Sequence, residues 1–103
     1  MKPSGRFKRR YVSFSLGAGG SPPDFAWAKE AIHGHFIAFF GELGASSLAF
    51  KLVKYDPKSG KGILRCARDR VDETVFCMAC MSEFQGKKCR LEPLSTSGSV
   101  RKA

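Results

Sequence analysis

An α+β class follows from three features of the 103-residue chain. Strand-length runs rich in β-branched and aromatic residues recur along it, and one of them alternates apolar with polar residues in the period of a half-buried strand. Two longer stretches are helical, one with apolar residues at three- and four-residue steps and one apolar on every side of the axis. Clusters of Gly, Pro, Asp and Ser punctuate the boundaries. Read in order, the elements are β-α-β-β-α-β.

Residues 1–9 show no periodicity and are expected to form a basic arm. Arg10 to Leu16 sets Tyr11, Ser13 and Ser15 against Val12, Phe14 and Leu16, which predicts a first strand with one buried face. Gly17 to Pro23 is loop chemistry, and Asp24 or Ser21 is placed to cap the helix behind it. Phe25, Ala28, Ile32, Phe36, Phe39 and Leu43 then mark one helix face, with Gly41 and Gly44 expected to end it. Leu48 to Asp56 and Lys61 to Ala67 flank Asp56-Pro57-Lys58-Ser59-Gly60 and predict a hairpin.

Asp69 is expected to cap a second helix from Val71 to about Phe84. Val75 to Met81 surrounds its axis with apolar side chains, more than one sheet face can cover. The surplus is expected to meet protein, through Val75, Phe76, Met78 and Met81. Gly86 should end this helix, and Lys87 to Leu94 should be the fourth strand. The folded domain is thus drawn at residues 10–95, with a short basic tail over 96–103. The order closes most simply into a four-stranded antiparallel sheet with both helices on one face, the ferredoxin-like arrangement shared by the RNA recognition motif.

Charge narrows the function. Lys and Arg outnumber Asp and Glu by 18 to 9, a net +9 that favours a polyanionic partner, and 43% hydrophobic residues suffice for a core. No apolar run approaches the ~20 residues of a membrane-spanning helix. The amino terminus lacks the apolar segment of a secretory signal. A transit peptide is the alternative, since no acid precedes Asp24, but Tyr11 to Leu16 reads better as structure. A reducing, cytoplasmic setting is expected, in which thiols stay free.

No constellation reads as an active site. Gly17-Ala18-Gly19-Gly20 lies between a strand and a helix, but Pro22 and Pro23 remove the N–H donors a phosphate loop needs. Cys77 and Cys80 form a CxxC, with Cys66 and Cys89 on flanking strands; core cysteines are the expected reading, a zinc site or redox pair the alternatives. His33 and His35 lie on different sides of their helix, and the carboxylates are scattered. Basic residues gather at the ends of the chain: Lys2, Arg6, Lys8, Arg9 and Arg10, then Lys87, Lys88, Arg90, Arg101 and Lys102. Adjacent first and fourth strands would join them into one RNA footprint, the alternative being a solvated charged face. Lys61 to Arg68 has no aromatic, so the sheet is expected to contact RNA by phosphate and shape rather than by stacking.

The chain resembles the archaeal ribonuclease P protein component 2 family, whose eukaryotic relative is shared by ribonuclease P and ribonuclease MRP. The resemblance rests on Lys8-Arg9-Arg10-Tyr11-Val12, Phe40-Gly41-Glu42-Leu43-Gly44-Ala45, Gly62-Ile63-Leu64-Arg65-Cys66, Arg68 with Val71-Asp72-Glu73, and Ser97-Gly98-Ser99-Val100-Arg101-Lys102. It implies a non-catalytic subunit that binds the ribonuclease P RNA, pairs with protein component 3, and self-associates into a heterotetramer. Precursor tRNA is met indirectly. The RNA performs the cleavage with Mg²⁺, and this chain binds no cofactor. Another basic ribonucleoprotein on the same fold is the second reading, a zinc- or thiol-dependent enzyme the third.

Overall fold

The computed structural model describes residues 9–98. Its elements are β1 (Arg9–Gly17), α1 (Phe25–Leu48), β2 (Lys51–Asp56), β3 (Lys61–Ala67), α2 (Val71–Ala79), β4 (Glu83–Phe84), β5 (Lys87–Lys88) and β6 (Arg90–Ser97). β2, β3, β1 and β6 form, in that order, a four-stranded antiparallel sheet, and β4 and β5 form a small separate ribbon. The predicted α+β, ferredoxin-like order is present, with one hairpin added. Because β6 runs to Ser97, the sheet takes in Thr96 and Ser97, which the sequence places in the tail.

The core lies between the sheet and the two helices. Val12, Phe14 and Leu16 of β1, Leu64 and Cys66 of β3 and Leu91 of β6 point to one side, where Ala28, Ala31, Ile32 and Phe36 of α1 and Cys77 and Met78 of α2 meet them. Alternation along β1 is the cause: every second side chain goes inward. Gly62 makes room for Phe14, since a Cβ there would stand 2.7 Å from the ring and 2.5 Å from the Lys54 carbonyl oxygen.

α1 departs from the sequence reading. Asp24 does cap it, its carboxylate accepting from the Trp27 N–H at 2.8 Å. Gly41 breaks the helix at φ 78° and ψ 167°, a conformation open essentially to glycine, but the chain then resumes helical turns to Leu48 and caps on Ala49. The expected second strand therefore begins at Lys51, not Leu48. Of the predicted helix face, Ala28, Ile32 and Phe36 are buried, whereas Phe25, Phe39 and Leu43 are exposed.

α2 also differs. A three-residue 3₁₀ turn, Arg68–Arg70, leads into it without a side-chain cap, so Asp69 does not cap it. Arg70 instead ion-pairs with Glu73 and donates to the Ser47 hydroxyl at 3.0 Å, tying the end of α1 to the start of α2. The helix stops at Ala79. Gln85 and Gly86 both have positive φ, which fits a two-residue hairpin turn, so Gly86 reverses a ribbon rather than ending a helix. Phe84 of the ribbon sits edge-on to Trp27 at 5.8 Å and against Gly34, where a Cβ would be 2.7 Å from its ring. The fourth strand of the sheet accordingly starts at Arg90, after Lys87 and Lys88 have been used in β5.

Candidate nucleic-acid interface

The sheet face turned away from the helices carries the charge. Residues directly opposite in an antiparallel ladder share a face. Pairing of Arg65 with Tyr11 and Lys51, of Ile63 with Ser13 and Lys54, and of Lys61 with Ser15 and Asp56 places Lys51, Lys54, Lys61 and Arg65 on that open side. Arg9 extends it at one end, and Arg90, opposite Gly17, at the other, with Asp56 and Glu92 as the carboxylates among them. The Ser13 and Ser95 hydroxyls, 2.8 Å apart, confirm the shared face. Among the described residues the one ion pair is Arg70–Glu73, so these cations make no direct ion pair, although Asp56 lies opposite Lys61, and they outnumber the carboxylates of the face. Arg65 Nε is buried with no hydrogen-bond partner among the described residues.

The predicted basic segments separate. Arg9 and Arg10 start β1, while Lys87, Lys88 and Arg90 lie by its far end, roughly 25 Å away at strand rise. They do not merge into one compact footprint; they bracket a band whose middle is Lys54 and Lys61. Lys87 is drawn aside, its ammonium 5.4 Å from the Trp27 ring centre. Arg10 points opposite to Arg9 and donates to the Arg9 carbonyl at 3.0 Å. Lys2, Arg6, Lys8, Arg101 and Lys102 fall outside the described residues.

Lys51, Lys54, Lys61 and Arg65 were missed in the sequence, although Lys61-Gly62-Ile63-Leu64-Arg65 carries the signal: alternation that buries Leu64 must turn Lys61 and Arg65 outward. Tyr11 is the aromatic of the open ladder face among the described residues, too little for a stacking platform.

The predicted protein-contact residues divide. Phe76 is 63% exposed and meets Phe39 edge-on at 6.0 Å, and Leu43 farther along α1 is 89% exposed. Met78 and Met81 are 0% and 3% exposed, and Val75 is half-buried against the core. Met78 and Met81 are therefore core residues, a correction that follows from the turn after Cys80, which folds the chain back over Met81.

Cys66, Cys77 and Cys89 are buried, and burial raises each thiol; Cys77, with Cys80 as neighbour, is pushed up to about 12. Cys80 is exposed. Among the described residues no group of three or more His, Cys, Asp or Glu is placed to hold a metal. His33 is exposed, whereas His35 is partly buried and its Nε2 donates to the Cys77 carbonyl at 2.7 Å, bolting α1 to α2. No helix among the described residues is long and apolar enough to cross a membrane.

Fold and site together define a small α+β sandwich with a predominantly cationic open sheet face. The family model described as Rpp14/Pop5 family matches residues 10–103. Ribonuclease P protein component 2 of Pyrococcus horikoshii is 33% identical over 104 residues, spanning 99% of this chain and 84% of that protein. The protein of the same name from Methanosarcina acetivorans is 32% identical over 101 residues, spanning 98% and 74%. A chain in the cryo-EM structure of yeast ribonuclease MRP matches with a TM-score of 0.67 over 93% of this chain and 78% of that one; at 10% identity this is a likeness of fold. The chain belongs to the Rpp14/Pop5 family of ribonuclease P protein subunits.

Proposed function

We propose that this chain binds and stabilises the catalytic RNA of ribonuclease P, the cytoplasmic ribonucleoprotein that removes the 5′ leader of precursor tRNA, and that the chain itself performs no chemistry. The cationic band of Lys51, Lys54, Lys61 and Arg65 on the open sheet face carries this reading. Phosphates are the natural complement of cations that make no direct ion pair. The RNA holds the Mg²⁺ that cleavage needs; this chain lowers the requirement by screening phosphates. Exposed Phe76 and Phe39, on the helix side, leave the sheet face free and suit a protein partner, which we assign to ribonuclease P protein component 3, with self-association of two such pairs.

Reconstitution tests the proposal. The full chain alone should leave precursor tRNA intact. Added with component 3 to the ribonuclease P RNA, it should permit cleavage at Mg²⁺ concentrations where the RNA alone is idle. Cleavage by the RNA-free chain, abolished by one substitution, would overturn the reading, as would an unchanged Mg²⁺ requirement.

A further inference from the structure

A cleft of about 780 Å³ lies between the first turns of α1 and the edge strand β2. That is within the ~300–1,000 Å³ typical of clefts that take small organic ligands. Phe25, 47% exposed, stands on the α1 side, and Phe50 on the β2 side. Phe50 is fixed from behind: it stacks on the buried Phe36 at 4.6 Å and meets His33 at 5.8 Å. Lys29 and Lys51 line the cleft together with one carboxylate, Glu30.

Lys51 belongs to two surfaces. It lines the cleft, and it also lies opposite Arg65 on the open face of the sheet. The cleft is therefore continuous with one end of the cationic band. Aromatic walls beside lysines suit a planar ring carried on a phosphodiester chain: the ring stacks, the flanking phosphates reach the lysines, and a carboxylate accepts from a base amine. An extended peptide added to the β2 edge fits less well, because β2 shifts register between Leu52 and Lys54 and breaks the even ladder such a peptide needs.

We propose that this α1–β2 cleft captures one unpaired nucleobase of the bound RNA, stacked on Phe25 with its neighbouring phosphates on Lys29 and Lys51. The inference rests on the RNA-binding reading above. It assigns stacking to a place the sheet does not offer, beside the sheet rather than on it.

The test uses the full chain with single-stranded oligouridine carrying one 2-aminopurine, whose weakly stacking neighbours leave it bright, and a duplex RNA for comparison. Binding should quench the 2-aminopurine. Phe25→Ala should remove the quench and weaken the single strand about tenfold, within the range of one base–aromatic stack, without changing its salt dependence or duplex binding. Phe25 lies on the exposed first turn, so unchanged melting is the expected control, and Phe25→Trp should restore the quench. A combined Lys54→Ala and Lys61→Ala variant should flatten the salt dependence yet keep the quench at saturation. If Phe25→Ala keeps both quench and affinity while the lysine variant flattens the slope, the cleft holds no base, and only this inference falls. If the lysine variant leaves the slope unchanged, the sheet-face contact on which the RNA-binding reading stands falls as well. Loss of component 3 binding in Phe25→Ala, with RNA binding intact, would make the cleft a protein groove and overturn the proposal.

Discussion

Replacing Lys51, Lys54 and Lys61 together with alanine strips the middle of the cationic band while leaving the core alone, since all three side chains are exposed. Each phosphate contact contributes roughly 0.7 to 0.9 to the slope of log affinity against log salt, so losing all three flattens it by about 2.1 to 2.7. Over a fourfold rise in salt, from 50 to 200 mM, that slope difference amounts to about 20- to 40-fold in relative affinity. The variant should therefore bind much more weakly at low salt and converge on the native chain at high salt. Filter binding or fluorescence anisotropy with ribonuclease P RNA at several salt concentrations reads this directly. A second variant, Ala38→Glu with Ser46→Glu, lowers the net charge on exposed helix positions and should barely alter the slope. Equal flattening in both variants, or none in the first, would refute a contact role for the sheet face and leave only a diffuse field.

Three further outcomes follow from the packing. Phe76→Lys should leave urea unfolding unchanged and abolish association with component 3, whereas Met78→Lys should unfold the domain, because even truncating such a buried side chain costs about 2–5 kcal/mol; two variants that both fold and assemble would remove the partner face. Gly62→Ala should lose about 1–3 kcal/mol in the same assay, as its methyl would press on Phe14 and the Lys54 carbonyl. The thiols give a pH dependence: with Cys77 raised to about 12 in the fold, stability is at its full value below the unfolded thiol range near pH 9 and falls as pH rises from there towards 12, by up to about 1.4 kcal/mol per unit for that thiol. Urea midpoints at pH 8 and 10 should show this, with a shallower loss in Cys77→Ala, and iodoacetamide should label Cys80 before Cys66, Cys77 or Cys89.

Period and turn chemistry carried most of the architecture. β1 was legible because its alternation is strict, and β3 because a turn and a run of buried residues bound it. α2 was overextended because an apolar run looks the same whether it stays helical or folds back as Met81 does; the two-residue turn at Gln85-Gly86 has no strong flanking strand pattern. Gly41 reads as a terminator, which its φ and ψ justify locally, but the helix resuming behind it depends on tertiary packing. The site was less legible than the fold. Counting charges along the chain picked out its ends, whereas the exposed lysines of β2 and β3 are scattered among apolar neighbours and become one band only when the register is known. The cleft beside β2 joins residues from the first helical turn with residues some 25 positions later, and no local pattern links them.

The antiparallel pairing of β1 with β6 sets Tyr11 against Ser97, so the two ends of the described segment lie within one strand spacing of each other. The fold is in effect a closed circuit with its opening at one corner. A short bridge across that corner, combined with a cut between Gln85 and Gly86 at the tip of the ribbon, would give a circularly permuted chain whose sheet keeps every one of its pairings. In such a rearranged protein both free ends would leave from beside Lys87, the far pole of the cationic band, and appendages placed there would stand clear of Arg9 at the opposite pole.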